Sequence, residues 1–166
     1  GLAPKLVLML TLSGLQGTLG WYMVQTRLVE RVNVSQYRLA AHLCAAVLIF
    51  GYIFWIAIRM GERRSDEARS NLNAAWSAGI LTFAIFIQIA LGAFVAGLDA
   101  GQGYNTWPLM DGKFIPDGLA AMTPWYLNLF ENALTVQFNH RILAYALVVY
   151  ASIHGMIIAR DARAGA

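Results

Sequence analysis

The chain has 166 residues, of which 58% are hydrophobic and only 13% are charged. Soluble domains carry about 25% charged residues, so this composition is that of a membrane protein. The formal net charge is +3, but the basic residues lie at the ends of apolar runs and form no stripe with aromatic residues, which argues against nucleic acid as a partner. The single cysteine, Cys44, excludes an intrachain disulfide.

Four apolar runs predict four transmembrane helices, at about 5–26, 36–59, 73–98 and 130–160. Each run approaches the ~20 residues that are needed to cross the hydrocarbon core of a bilayer. The predicted fold class is therefore an all-α, polytopic membrane protein. A modest excess of basic residues on the side of the two ends predicts that this side faces the cytoplasm or the matrix.

A short pattern occurs in both the first and the third predicted helix. "LQGTLGW" and "IQIALGA" share the pattern Q-x-x-L-G, and the two copies are 72 residues apart. The favoured interpretation is that the small residues let helices pack closely. The alternative is that both copies descend from one duplicated ancestor.

Two histidines are the first candidates for chemistry, because titratable residues inside membrane helices are costly. His42 and His140 both lie near the outer ends of their helices, and each is followed by alanine on the same helical face, at 46 and 144. Neutral imidazole is a common axial ligand of haem iron, and small neighbours leave room for a flat macrocycle. The alternative is that the two histidines hydrogen-bond to neighbouring helices or face lipid headgroups.

Each of these histidines has an arginine beside it. Arg38 lies one turn before His42, and Arg141 directly follows His140. Both are predicted to pair with haem propionates through charge-assisted hydrogen bonds. A third histidine, His154, is predicted to have a packing role or to lie at the inner interface.

A long outer loop, residues 99–130, separates the last two predicted helices. The surrounding stretch reads "GLDAGQGYNTWPLMDGKFIPDGLAAMTPWYLNLFEN" and contains three of the four prolines. A connection of this length is uncommon unless it is functional. We expect it to pack as a cap over the outer ends of the helices, with its aromatic residues in the interfacial belt. Asp99 and Glu131 are expected to organise the loop rather than to carry protons.

Four stretches together resemble the haem A synthase family, in its proteobacterial and mitochondrial form. They are "LQGTLGWYMV", "VSQYRLAAHL", "QIALGAFVAGLDAGQGYNTWPLMDGKFIPDG" and "FENALTVQFNHRILAY". The resemblance implies eight transmembrane helices in two similar four-helix bundles, each with a pair of histidines near the outer face. It also implies an oxidoreductase that converts a methyl group of haem O to a formyl group, with haem b as cofactor, to make haem A for cytochrome oxidase.

In this family the chain corresponds to helices three to six of the eight. Residues 1–60 would be the last two helices of the N-terminal half-bundle, 61–72 a cytoplasmic or matrix connector, and 73–166 the first two helices of the C-terminal half-bundle. His42 matches the second histidine of the first half and His140 the first histidine of the second half, both as ligands of haem iron. Their partner histidines and the proposed catalytic glutamate are expected outside residues 1–166, so the catalytic residue is unknown.

The resemblance also implies a location and partners. The expected location is the bacterial inner membrane, or the mitochondrial inner membrane in a eukaryote. The expected partners are the lipid bilayer, haem O and haem A, with a homo-oligomer or a contact with haem O synthase as further interactions. Two other functions remain open at this stage: a bis-histidine b-type cytochrome that carries electrons, and a non-enzymatic membrane protein of oxidase assembly.

Overall fold

The computed structural model describes residues 1–25, 35–61 and 72–164. These residues form helices and no β-strand, which confirms the all-α class. The four long helices are α1 (Leu2–Gln25), α2 (Gln36–Gly61), α3 (Leu72–Gly97) and α5 (Ala133–Ala164); a short helix α4 (Ala100–Gly103) and a 3-10 turn (Trp125–Leu129) lie between the last two.

The four long helices match the four predicted membrane spans. Segments within them are each long and apolar enough to cross a membrane: Leu2–Met23, Gln36–Gly61, Asn73–Gly97 and Ala133–Arg160. Their large apolar side chains are mostly exposed; Phe83, for example, is 67% accessible. A protein with this surface requires lipid or further protein around it. The chain is therefore a multi-pass membrane protein.

Helix α5 begins slightly later than the sequence predicts, at Ala133 rather than near residue 130. The reason is a local cap, because Asn132 Oδ1 accepts hydrogen bonds from the backbone N–H groups of Leu134 (3.1 Å) and Thr135 (3.4 Å). Asparagine is among the preferred residues at this position, since its side chain satisfies amides that have no partner in the first turn.

The helices pack in a row, in the order α1, α2, α3, α5. Among the described residues, α2 and α5 do not pack against each other. Helices α2 and α3 approach each other closely at Gly97, where an added Cβ would lie 2.5 Å from the Cα of Gln36. Only glycine allows two helices to approach this closely.

Among the described residues, burial is concentrated where residues 98–132 (the outer segment) pack against the start of α5. Buried residues here include Ala100, Met110, Asn128, Leu134, Thr135 and Val136. Thr135 Oγ1 donates to the backbone oxygen of Leu119 at 2.7 Å. Trp107 and Trp125 remain 75% and 73% exposed, as an interfacial belt requires. The predicted packing of this loop at the helix ends is thus confirmed.

His154 lies in the part of α5 that is far from the outer segment, and it links α3 to α5. Its Nδ1 is 2.8 Å from Ser77 Oγ, which is itself 2.9 Å from the hydroxyl of Tyr150. This confirms the packing role. The predicted connector, residues 61–72, lies outside the described residues from 62 to 71, so the division into half-bundles stays a prediction.

Candidate functional site

The ring of His42 lies in the contact between α2 and α1. Gln16, on α1, points its side-chain amide at the histidine: Nε2 donates to the His42 backbone oxygen at 2.8 Å and lies 3.1 Å from Nδ1. One turn further along α1, Gly20 faces the same ring. A Cβ at Gly20 would lie 3.1 Å from His42 Cε1, closer than an ordinary contact. The glutamine therefore holds the ring, and the glycine makes room for it.

The ring of His140 has the same surroundings between α5 and α3. Gln88 Nε2 donates to the His140 backbone oxygen at 3.0 Å and lies 3.0 Å from Nδ1. A Cβ at Gly92 would lie 3.2 Å from His140 Cε1. The two sites thus agree closely in their corresponding distances, although they lie in different pairs of helices.

The repeated Q-x-x-L-G pattern is the local cause of this geometry. Residues four positions apart lie on the same face of a helix, so the glutamine and the glycine meet the same histidine. The predicted role in close helix packing was incomplete, because Gly20 and Gly92 accommodate histidine rings. For Gly17 the described residues show no such contact, since a Cβ there would meet nothing within 4 Å. Gln16 and Gln88 are the site residues that the sequence reasoning missed.

An apolar groove lies along each helix pair, beside the helical turns that follow the histidine. The groove between α1 and α2 has a volume of about 440 Å³ and is lined by residues that include Gln16 and Tyr52. The groove between α3 and α5 has a volume of about 600 Å³ and includes Tyr150. Each tyrosine lies ten residues after its histidine, so the likeness of the two helix pairs extends beyond the ligand candidates. This favours the interpretation that the two pairs are copies of one unit.

The two candidate arginines have different surroundings. Arg141 donates to the backbone oxygens of Thr106 (2.6 Å) and Tyr104 (2.9 Å), and so ties the outer segment to α5. It also lines a groove of about 570 Å³ between that segment and α5. Arg38 lies 5.3 Å from the ring centre of Tyr22 on α1. Propionate binding by either arginine stays a prediction.

His140 and Arg141 are adjacent in the sequence but contact different parts of the protein. Successive residues on an α-helix point about 100° apart. Accordingly His140 contacts α3, whereas Arg141 contacts the outer segment. The structure also keeps His42 and His140 in separate helix pairs, because α2 and α5 do not meet among the described residues.

Glu131 joins the outer segment to the first helix pair. Its carboxylate accepts hydrogen bonds from Gln36 Nε2 at 2.9 Å and from the Tyr37 hydroxyl at 2.6 Å. The ring of Phe94 packs between those of Tyr37 and Phe130 in the same cluster. This agrees with the prediction that Glu131 organises the loop.

The residues around each histidine fit a haem ligand. Among the described residues, no group of three or more His, Cys, Asp and Glu side chains is arranged to hold a metal ion, but haem iron takes only one or two axial ligands from the protein. Each ring lies where a glycine removes the Cβ that would crowd it. At His140, the amide oxygen of Gln88 is buried without a hydrogen-bond partner in the described part of the chain, so an unused acceptor adjoins the ring.

The family model of COX15-CtaA, described as cytochrome oxidase assembly protein, matches residues 1–166. The chain belongs to this family. No solved structure matches it. The chain is 54% identical to a protein named heme A synthase from Parvibaculum lavamentivorans, over 148 residues that make up 89% of the chain and 42% of that protein.

Other relatives carry the same name. The heme A synthase of Bradyrhizobium diazoefficiens is 50% identical over 166 residues, which cover 99% of the chain and 45% of that protein. That of Brucella ovis is 45% identical over 165 residues, with 98% and 45% covered. The chain thus spans less than half the length of these curated relatives.

Proposed function

We propose that this chain is the central part of a haem A synthase, which oxidises a methyl group of haem O to a formyl group. The observation that carries the proposal is the repeated arrangement of glutamine, histidine and glycine around His42 and His140. Membership of the oxidase assembly family and the names of the relatives agree with it.

The two histidines have separate roles in this proposal. His140 would hold the iron of the resident haem b, and His42 would hold the iron of the substrate haem O. The haem iron, when bound, supplies the redox chemistry. The chain's own residues bind and orient: the imidazoles offer nitrogen lone pairs, and the arginines Arg38 and Arg141 offer guanidinium donors to propionates. The catalytic residue is proposed to lie outside residues 1–166.

The proposed setting follows from the same function. The membrane is the bacterial inner membrane, or the mitochondrial inner membrane in a eukaryote. Haem O enters and haem A leaves within the bilayer, and cytochrome oxidase is the final user of the product. A homo-oligomer, or a contact with haem O synthase, is the further interaction that we propose.

Extraction of haem from the purified complete protein, followed by chromatography, tests the activity. We expect haem b together with haem O and haem A. We also expect cells that lack the gene to accumulate haem O and to contain no haem A. If the protein holds haem b alone and cells without the gene still form haem A, it is an electron carrier rather than a synthase. If it holds no haem at all, it acts in assembly without catalysis.

Single substitutions in the complete protein test the two ligand assignments. His140→Ala should lose the b-type haem, whereas His42→Ala should chiefly lose haem A formation. His154→Ala is the matched control, because His154 pairs with Ser77 in a packing contact and should retain haem and activity. If the variants at 42 and 140 both behave like the control, the ligand assignment is wrong.

A further inference from the structure

In the side-chain amide of Gln88 the nitrogen donates a hydrogen bond, whereas the oxygen has no hydrogen-bond partner among the described residues. Its Nε2 donates to the backbone oxygen of His140 and lies against the ring nitrogens, at 3.0 Å from Nδ1 and 3.3 Å from ring Nε2. Its Oε1 is buried without a hydrogen-bond partner in the described part of the chain. Buried polar atoms are rarely left unpaired, and each exception calls for an explanation.

Helix packing alone does not explain this amide. His140 lies inside α5, where each carbonyl oxygen accepts from the amide four residues further along. The bond from Gln88 to that oxygen is therefore additional to the helix. An apolar residue at 88 would leave no unpaired oxygen between α3 and α5. Gln16 nevertheless repeats the same bonds to His42, at 2.8 Å to the backbone oxygen and 3.1 Å to Nδ1.

We infer that Gln88 and Gln16 are positioning residues that set the orientation and the hydrogen-bonding state of the two candidate axial histidines. A neutral imidazole has one nitrogen that accepts and one that donates. When one nitrogen binds iron, the other carries the proton and requires an acceptor, which in metal sites fixes the ring and tunes the ligand. The unpaired Gln88 Oε1 belongs to the amide that already lies beside the ring, so this side chain carries an acceptor of the kind that an iron-bound imidazole requires.

This inference rests on the proposed haem function and extends it from the two histidines to the glutamines that contact them. Three variants of the complete protein separate the roles. Gln88→Leu removes donor and acceptor. Gln88→Glu is isosteric and keeps only acceptors. Gln102→Leu is the matched control, because it is the same change at a glutamine that is exposed in α4.

The measurements are the haem-to-protein ratio, the affinity for added haem b, and the midpoint potential of the bound haem. Loss of an outer partner of a metal ligand costs about 10- to 100-fold in metal affinity, and we expect Gln88→Leu to weaken haem binding about tenfold or more. Gln88→Glu should retain haem and lower its midpoint potential below that of the unaltered protein, because a charged acceptor makes the imidazole a stronger donor to iron. Gln102→Leu should change neither.

Two results would overturn the inference. One is a Gln88→Leu variant with unaltered haem affinity and midpoint potential. The other is a haem-loaded Gln88→Glu variant whose potential is unchanged. His140→Ala distinguishes this failure from failure of the proposed function. If His140→Ala loses haem while the Gln88 variants are normal, only the positioning role is wrong. If His140→Ala itself retains haem, the ligand assignment is wrong.

Discussion

Replacing Gly92 by alanine places a methyl group against the ring of His140. The added Cβ would lie 3.2 Å from Cε1, 3.8 Å from Nδ1 and 3.9 Å from Nε2. The first distance is shorter than the 3.4–4 Å of an ordinary contact, so the ring must move by a few tenths of an ångström. The hydrogen bonds to Gln88 resist that movement, because they hold both the ring and the backbone of His140.

The expected magnitude combines two opposing effects. Alanine stabilises a helix by about 1 kcal/mol relative to glycine, whereas crowding of a packed site costs about 1–3 kcal/mol. The free energy of unfolding of Gly92→Ala should therefore fall by roughly 0–2 kcal/mol. Gly79→Ala is the matched control in the same helix, because a Cβ at Gly79 meets nothing within 4 Å. That variant should be unchanged or more stable by up to about 1 kcal/mol.

The assay is thermal unfolding of the complete protein in detergent, with the haem absorption spectrum recorded on the same samples. Gly92→Ala should unfold at a lower temperature than Gly79→Ala, and it should bind less haem or show an altered spectrum. A Gly92→Ala variant that matches Gly79→Ala in unfolding temperature, haem content and spectrum would refute the claim that this glycine exists to accommodate the histidine ring.

Three further substitutions test the packing around the site. Gly97→Ala would place a Cβ 2.5 Å from a backbone Cα of α2, and should cost at least the upper end of the usual ~1–3 kcal/mol; an unaltered unfolding temperature would contradict this. Asn128→Ala removes four hydrogen bonds donated or accepted by the side chain of a residue that is 4% exposed. It should destabilise the outer segment by about 2–3 kcal/mol, seen as faster limited proteolysis there. Arg141→Lys loses the paired bonds to the outer segment and should also speed its proteolysis, whereas Arg160→Lys should not.

The sequence predicts the membrane class and the number of spans because these depend on local composition. Any helix with ~20 apolar residues must meet lipid or protein, whatever its neighbours are. The bounds of α1, α2 and α3 agree with the predicted spans to within a few residues, since apolar runs end where polar residues begin. The start of α5 differs because a single side chain, that of Asn132, decides it.

The candidate histidines also follow from the sequence alone, because a titratable group in an apolar segment is conspicuous. Their surroundings do not. Gln16 and Gln88 are 26 and 52 residues away from the histidines that they contact, and nothing local to a glutamine shows which helix will pack against it. The repeated Q-x-x-L-G pattern is the available signal in the sequence, but it predicts close packing or a duplication and does not show that its glutamines contact the histidines.

By itself, the sequence determined an all-α membrane protein with four spans, two histidines near the outer face and a long structured loop, because hydropathy and local turn chemistry act within short stretches. Only the tertiary structure decided that each histidine lies against a glutamine and a glycine of the neighbouring helix, and that Arg141 contacts the outer segment. Those outcomes depend on how helices rotate and which of them meet, and that is set by contacts between residues far apart in the chain.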